Sequence, residues 1–307
     1  MKKYSNSQAR KDVYQMVTDI ILEKLEQGVI PWKQSWSEQG PAANYLSKKP
    51  YRGINALLLN SLGFSHPYFL TFKQAQQLGG KIKKGSQALP IVYWQWYFQH
   101  QQTGRKLTEE EAKSLPTAVV ERKAFLRYYR VFNIQNIEGV TFDLPKHNQS
   151  IGANKDKLMQ GFKPLHTMPY SVGIKTQSNT PFYHPQHDYI NMPKMTSFPT
   201  TEAYFQVLYH ELSHATGHPK RLNRKGGNTP QRFGSWSYSQ EELIAEMGAS
   251  FLSNLMGFQT EVELNDAASY IQGWLKVLHN DKRFVIEAAQ QAQKAVDYIL
   301  GNKEGSP

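Results

Sequence analysis

The residues with the clearest chemical potential are His210, Glu211 and His214, which form the pattern His-Glu-x-x-His. Residues 202–216 have the apolar spacing of a helix, and residues four apart on a helix share one face. Both imidazoles can therefore reach one metal ion, while Glu211 lies beside them, placed to take a proton from a water molecule. The pattern predicts a metal-dependent hydrolytic centre with Glu211 as the catalytic residue. Two unrelated surface histidines are the alternative.

A catalytic zinc site needs a third protein ligand and one open position. A histidine ten residues after the first would supply it, but Lys220 occupies that position and His218 comes two residues too early. A glutamate from the following helix is the other solution. Glu242 and Glu246 are one turn apart on one face of the helix predicted over 240–256. We expect Glu242 to be the ligand, with Glu246 as second choice, and the other glutamate to orient a ligand histidine.

Glu242 also fits a purely structural role. Ser239 and Glu242 have the spacing of a capping box, in which the glutamate side chain only closes the start of a helix. Ser237 with Gln240 offers an equivalent cap earlier in the chain, and a helix that begins there leaves Glu242 free to bind a metal.

Composition limits the kind of metal site and the class of protein. The 307 residues include no cysteine, which excludes thiolate chemistry and zinc fingers and leaves His and carboxylate ligands, for which Zn²⁺ is the expected metal. The length favours two domains. No apolar run reaches the roughly 18 residues of a membrane span, and the first residues lack a signal-peptide core. We therefore expect a cytoplasmic protein with no membrane partner.

Charge is distributed unevenly along the chain. Residues 1–150 contain 21 of the 36 Lys and Arg residues but 11 of the 25 Asp and Glu residues, so that this half has a net charge of +10 and the remainder +1. A polyanionic partner for the first half is the favoured interpretation, and a well-solvated basic domain is the alternative.

Apolar periodicity predicts an α+β fold with two domains. Helices are expected over 7–26, 53–62, 71–78, 202–216, 240–256, 266–278 and 282–300, and strands over 88–98, 124–133 and 188–192. The segment 145–178 is rich in Gly, Asn, Ser and Pro and has no clear period. The expected organisation is a first domain over 1–145, a linker or its fringe over 146–178 and a mostly helical domain over 179–307.

The first half has the residue types that a sequence-tolerant binder of single-stranded DNA needs, namely cations for phosphates and flat rings for bases. Lys81, Lys83 and Lys84 lie beside a glycine pair. Trp32 and Trp36 lie in an irregular segment where a ring is hard to bury, which makes them candidate stacking platforms. In the strand over 88–98, only one of two pairs, Tyr93 with Tyr97 or Trp94 with Trp96, is expected to line a surface while the other packs inward.

Residues 210–224 (HELSHATGHPKRLNR) and 238–252 (YSQEELIAEMGASFL) resemble the zincin-type metallopeptidase domain of ArdC-like antirestriction proteins. Segments 51–55, 71–75, 79–85 and 129–133 resemble that family's N-terminal single-stranded-DNA-binding domain, which also precedes some conjugative primases. The resemblance implies His210 and His214 as ligands, Glu211 as the catalytic glutamate and the acidic cluster 241–246 as the source of the third ligand.

The resemblance also makes four further residues candidates for DNA contact: Arg52, Asn55, Lys73 and Gln74. Lys73 and Gln74 begin a short helix whose backbone N–H groups are expected to face an anion.

The resemblance implies an antirestriction protein that protects incoming conjugative plasmid DNA from host restriction. The hypothesis is a zinc-dependent metallopeptidase whose substrate is a protein such as a restriction-system component, with Tyr238 or Tyr183 stabilising the oxyanion and the strand over 188–192 as the edge along which a peptide lies. The alternative is a non-catalytic single-stranded-DNA shield in which the metal is structural. A metal-dependent nuclease is disfavoured, because two-metal nucleases use carboxylate-rich sites.

Overall fold

The protein is described by a computed structural model over residues 12–34, 40–144, 154–224, 236–258 and 267–302. Its helices are α1 (Val13–Glu26), α2 (Ile54–Asn60), α3 (Phe72–Gln77), α4 (Glu109–Ser114), α5 (Asn154–Thr167), α6 (Thr201–Ala215), α7 (Trp236–Leu255), α8 (Ala267–Asn280) and α9 (Phe284–Ile299). Its strands are β1 (Ala43–Asn44), β2 (Tyr68–Thr71), β3 (Lys81–Ile82), β4 (Leu89–His100), β5 (Lys106–Leu107), β6 (Val120–Asn133), β7 (Ile137–Glu138), β8 (Gly173–Lys175), β9 (Phe182–His184) and β10 (Tyr189–Asn191).

The fold is α+β, as predicted, with a sheet-rich N-terminal region and a mostly helical C-terminal region. The main sheet has the strand order β1-β2-β6-β4-β5, in which only β1 and β2 are parallel. Its centre is the long antiparallel hairpin of β4 and β6, rich in the aromatic and β-branched residues that favour strands. Two smaller sheets have the orders β3-β7 and β8-β10-β9.

One hydrophobic core connects the two regions. Helix α1 contributes Ile21 and Leu25, α6 contributes Leu208, and α9 contributes Ala288, all of them buried in the same cluster. At the surface of that core, the backbone N–H of Gly53 donates to the side chain of Gln293 at 2.9 Å. The N-terminal helix α1 thus packs on α8 and α9 and shares one core with α6. None of the described helices combines the length and the apolar character that crossing a membrane requires.

The segment 145–178 has no clear period in the sequence, yet its residues 154–167 form helix α5 and its residues 173–175 form strand β8. Gly161 and Pro164 weaken the helical signal in the sequence. The structure needs the glycine, because a Cβ at Gly161 would lie 2.3 Å from the ring of Phe205. The hydroxyl of Tyr209 also donates to the carbonyl oxygen of Gly161 at 2.8 Å. Tertiary packing therefore outweighs local propensity here.

Candidate functional site

Helix α6 presents His210 and His214 on one face because its other face is buried by Phe205, Leu208 and Leu212. The helix begins after Thr200, whose side chain accepts a hydrogen bond from the backbone of Ala203 at 3.1 Å. The two Nε2 atoms are 3.0 Å apart. Two imidazole nitrogens at this separation converge on one point, as the spacing of four residues requires.

Helix α7 brings Glu242 to the same point. One carboxylate oxygen lies 3.6 Å from Nε2 of His210, and the other lies 3.6 Å from Nε2 of His214. Ligands bonded to zinc at 2.0–2.2 Å in a tetrahedron are about 3.3–3.6 Å apart. Among the described residues, these three side chains form the group of potential ligands whose atoms all lie within 4.8 Å of one another. Two imidazoles and one carboxylate in this arrangement fit a divalent cation.

The capping interpretation of Glu242 is wrong, because helix α7 begins at Trp236 and Glu242 lies in its second turn. Its pKa is lowered: burial acts to raise it, but His210 and His214 outweigh burial and favour the carboxylate form.

The glutamate that lies where it can orient a ligand histidine is Glu241. Its carboxylate lies 3.6 Å from Nδ1 of His214, on the side of the ring opposite Nε2. Arg224, which is buried, holds the same carboxylate with contacts of 2.5 and 3.2 Å. Burial acts to lower the pKa of His214, but the carboxylates of Glu241 and Glu242 outweigh it and raise that pKa. A carboxylate at Nδ1 fixes the orientation of a ligand histidine.

Glu246 is directed elsewhere. Its carboxylate accepts hydrogen bonds from Nε1 of Trp32 at 2.8 Å and from the hydroxyl of Tyr270. The ammonium of Lys33 lies 4.4 Å from the centre of the Tyr270 ring, and burial lowers the pKa of Lys33. Glu246 therefore joins the N-terminal region to α7 and α8, and its side chain does not complete the histidine pair.

A cavity of about 980 Å³ opens beside the histidine pair. His210 and Glu211 line it from α6, Glu246 lines it from α7, and Trp32 and Lys33 line it from the N-terminal region. Glu211 is 8% exposed, and it lines this cavity from an otherwise buried position. The wall of the cavity is therefore shared by both regions of the chain.

The two tyrosines considered for the oxyanion have different surroundings. The hydroxyl of Tyr238 donates a hydrogen bond to the carboxylate of Glu242. Burial and that carboxylate together raise the pKa of Tyr238. The hydroxyl of Tyr183 donates instead to Asp188 at 3.0 Å. Tyr238 is thus the tyrosine that lies next to the candidate metal ligands.

The expectation that the strand over 188–192 is an edge is wrong. Strand β10 pairs with β8 on one side and with β9 on the other, so it is the central strand of its sheet. Strand β9 is an edge, and Pro181, directly before it, lines the cavity. A period-two pattern identifies a strand but carries no information on which neighbours it has.

The expectation that Trp32 is hard to bury is also wrong. Its ring is 1% exposed and packs edge-on against Trp274 at 5.7 Å between centres, so it cannot stack on a base. Trp36 lies outside the described residues.

Arg52 forms an ion pair with Asp297 of α9. The side chain of Asn55 exchanges two 2.8 Å hydrogen bonds with the backbone of Val92. Both polar side chains hold parts of the protein together.

Gln74 closes the start of helix α3 together with Thr71, in a capping box that uses the backbone N–H of Gln74, one of those expected to face an anion. Lys73, Lys81, Lys83 and Lys84 are exposed. The ammonium of Lys83 donates to the carbonyl oxygen of Gln135 at 2.7 Å. The exposed lysines remain predicted contacts for phosphates.

One of two ring pairs on strand β4, Tyr93 with Tyr97 or Trp94 with Trp96, is expected to pack inward. The structure departs from this expectation, because neither pair is buried. Tyr93 is 41% exposed on one face, and Trp94 and Trp96 are 38% and 53% exposed on the other.

Two family models match the chain. Residues 11–132 match the N-terminal domain of the anti-restriction factor ArdC, and residues 167–291 match a zincin-like metallopeptidase. The metal-free crystal structure of the antirestriction ArdC protein from plasmid R388 is 30% identical, covers 94% of this chain and 96% of that chain, and superposes with a TM-score of 0.71. The chain belongs to the ArdC antirestriction family. A Mn(II)-bound structure of the same ArdC protein superposes with a TM-score of 0.70.

Two of the curated relatives are much longer than this chain, and a third has a similar length. A DNA primase TraC of Escherichia coli is 29% identical over 97% of this chain, and a second TraC primase is 28% identical. The chain spans only 20% and 27% of the lengths of these two primases. An uncharacterized protein, y4eC, of Sinorhizobium fredii (strain NBRC 101917 / NGR234) is 28% identical over 95% of this chain and 92% of its own length.

Proposed function

We propose that this protein is an antirestriction factor that binds single-stranded DNA through its basic N-terminal region and hydrolyses peptide bonds at the centre formed by His210, His214 and Glu242. The role is the protection of incoming conjugative plasmid DNA from host restriction, and the substrate is a protein such as a restriction-system component. The observation that carries the catalytic part is the convergence of these side chains beside a cavity that Glu211 lines, in a chain of the ArdC family.

The proposed metal is Zn²⁺, held by Nε2 of His210, Nε2 of His214 and the carboxylate of Glu242. Two imidazoles and one carboxylate are a set that zinc uses in catalytic sites, with a position left for substrate. When bound, the metal supplies a Lewis acid that polarises a carbonyl and acidifies water. The Mn(II)-bound structure of the ArdC relative supports the proposal that a divalent cation binds to this fold.

The chain's own groups carry the proton transfers. Glu211 takes a proton from the attacking water and passes it to the amine that leaves, because its carboxylate faces the same cavity as His210. Glu241, fixed by Arg224, keeps the ring of His214 oriented. Tyr238 is the proposed donor to the oxyanion. The peptide is proposed to run along edge strand β9, which continues from Pro181 in the cavity wall.

Glu211→Gln tests the peptidase. The variant is expected to fold and to retain its metal, because the amide keeps the shape of the side chain, but to lose antirestriction through loss of the proton acceptor. Glu110→Gln, an exposed substitution on α4, is the matched control and is expected to keep full antirestriction. Plasmid transfer into a restricting recipient, with metal content and circular dichroism on the purified proteins, gives the readout. Full antirestriction by Glu211→Gln would overturn the peptidase in favour of a DNA-binding shield with a structural metal.

A salt titration with matched single- and double-stranded oligonucleotides tests the DNA-binding part. Preference for the single strand is expected, with an affinity that falls steeply as salt increases, since the basic region replaces counterions on phosphates. A flat salt dependence or preference for duplex would contradict the proposal. The oligonucleotides are expected to stay intact with metal present, and cutting would indicate a nuclease instead.

A further inference from the structure

Strands β4 and β6 form a regular hairpin whose register is unbroken from Leu89 opposite Val131 to His100 opposite Val120. Side chains of a strand alternate between faces, and directly opposite residues share a face. Ring side chains therefore separate into two sets. The four on one face are named the ring face here: Tyr93, Tyr97, Phe125 and Tyr129.

The rings of the ring face touch each other in diagonal pairs. Tyr93 and Tyr129 have ring centres 5.8 Å apart, and Tyr97 and Phe125 have ring centres 5.6 Å apart. Tyr93 and Tyr129 are 41% and 39% exposed. Neighbouring rungs on one face of a strand are about 6.8 Å apart. Each of four successive rungs thus contributes one ring, which makes a row of four rings along this face.

Cations alternate with these rings. Arg127 lies opposite Tyr93, and Lys123 lies opposite Tyr97. The guanidinium of Arg127 lies 5.4 Å from the centre of the Phe125 ring and donates to Gln95 at 2.6 Å. The ammonium of Lys106, from β5, lies 5.0 Å from the centre of the Tyr97 ring. One acidic group, Glu121, pairs with Lys123 at 3.1 Å. The ring face is therefore both aromatic and basic.

The opposite face of the hairpin already has a structural role. Leu126 and Tyr128 pack against the main core, and Trp94 contacts Tyr14 of α1 edge-on at 6.4 Å between centres. Trp96, farther out on this face, is 53% exposed, and the guanidinium of Arg122 lies 4.2 Å from the centre of its ring. The inner part of this face is used for packing, which an antiparallel sheet requires on one face only, so the exposed rings of the ring face are available for a ligand.

We propose that the ring face is the platform on which bases of a single-stranded nucleic acid stack, with Arg127, Lys123 and Lys106 contacting its phosphates. This inference rests on the proposed single-strand binding and assigns it to a surface. Rings between cations match alternating bases and phosphates, and every base offers a flat face, so the platform accepts any sequence. Bases in a duplex are stacked on each other, so a duplex gains nothing from these rings.

The experiment compares binding of a fluorescent oligothymidylate to the full chain and to its variants. Tyr93→Leu with Tyr129→Leu keeps apolar bulk but removes two rings, and a loss of about 5- to 150-fold per stacked base is expected. Tyr170→Leu, at a ring that is 65% exposed in the C-terminal region, is the matched control and is expected to bind as the wild type does. Trp96→Leu tests the opposite face and is expected to have the smaller effect.

Arg127→Gln adds a second measurement that does not depend on the rings. The loss of one phosphate contact is expected to reduce the slope of log affinity against log salt by about 0.7. Lys163→Gln, an exposed substitution on α5, is expected to leave the slope unchanged. Because Arg127 is an exposed side chain, this variant tests the proposal even where the double tyrosine variant does not fold.

The outcomes separate this inference from the proposed function. If the wild type fails to bind single strands, single-strand binding itself is refuted. If the wild type binds and the ring-face variants bind equally well, or if Trp96→Leu is the more damaging change, only the assignment to the ring face is overturned. Weaker binding by the double variant and a reduced salt slope for Arg127→Gln, with both controls unchanged, support it.

Discussion

Substitution of Gly248 tests how closely helices α6 and α7 must approach for the candidate metal centre to form. A Cβ added at Gly248 would lie 2.4 Å from Oγ and 3.0 Å from Cβ of Ser213, the residue before His214. Oγ of Ser213 is held by a 2.8 Å hydrogen bond to the carbonyl oxygen of Tyr209. Gly248→Ala therefore forces the two helices apart or displaces Ser213. Either change moves Glu242, on α7, relative to the histidines of α6.

The expected magnitude follows from a comparison with Gly273 in the interior of α8, where an added Cβ meets nothing within 4 Å. Glycine to alanine inside a helix stabilises it by about 1 kcal/mol. Gly273→Ala is thus expected to raise the free energy of unfolding by that amount. Gly248→Ala has the same gain in propensity but loses about 1–3 kcal/mol to overpacking. The two variants are therefore expected to differ by about 1–3 kcal/mol in the free energy of unfolding.

Urea unfolding of the metal-free proteins measures this difference, and calorimetric titration with Zn²⁺ measures its effect on the centre. Weaker zinc binding is expected for Gly248→Ala and unchanged binding for Gly273→Ala. Ser213→Ala in the Gly248→Ala background removes the nearest atom and is expected to restore part of both losses, with Ser213→Ala alone closing the cycle. Equal stability and equal zinc affinity of the two single glycine variants would refute the argument.

Three further predictions concern individual side chains. Glu242→Gln is expected to lose bound zinc while Glu246→Gln retains it, and metal analysis showing the reverse would assign the ligand to Glu246. The hydrogen bond from Lys157 lowers the pKa of Glu202 below its ordinary value of 4.5. The contact therefore stabilises the protein above pH 4.5, and this contribution to stability is lost as the pH falls through the lower folded-state pKa. Glu202→Gln should therefore flatten the acid loss of stability in urea melts as the pH falls below about 5, and an unchanged slope would contradict it. Trp32→Phe removes the donor to Glu246 and leaves a void, so we expect about 2–4 kcal/mol lower stability with unchanged DNA affinity. A loss of DNA affinity at full stability would restore Trp32 as a stacking residue.

The sequence predicts relations within one element better than relations between elements. The convergence of His210 and His214 follows from helical periodicity alone, and the structure has it. Which glutamate approaches them depends on how α7 is rotated against α6, and the two helices approach each other closely at Gly248. A helical wheel places Glu241 about 100° from Glu242, and for that reason its contact with the far side of His214 is not predictable from spacing. That these side chains bind a metal stays a prediction.

The burial of aromatic residues also depends on relations between elements that the sequence does not predict. Trp32 has no periodic neighbours to indicate an apolar face, yet α7 and α8 supply a hydrogen-bond acceptor and an aromatic wall for it. On β4, alternation correctly separates Tyr93 from Trp94, but it cannot show that rings on both faces of the strand stay partly exposed. Long-range packing decides both cases, and neither leaves a local signal.

The uneven charge of the chain does not correspond to two independent bodies. The basic region contributes Trp32 and Lys33 to the cavity beside Glu211, and its helix α1 shares the main core with α9. The hydrogen bond from Trp32 to Glu246 makes the position of α7 depend on the N-terminal region. The helix that presents Glu242 is therefore held in part by residues from the half that is proposed to bind DNA. It follows that the C-terminal half alone lacks one wall of the cavity and the hydrogen bond that Trp32 donates to α7.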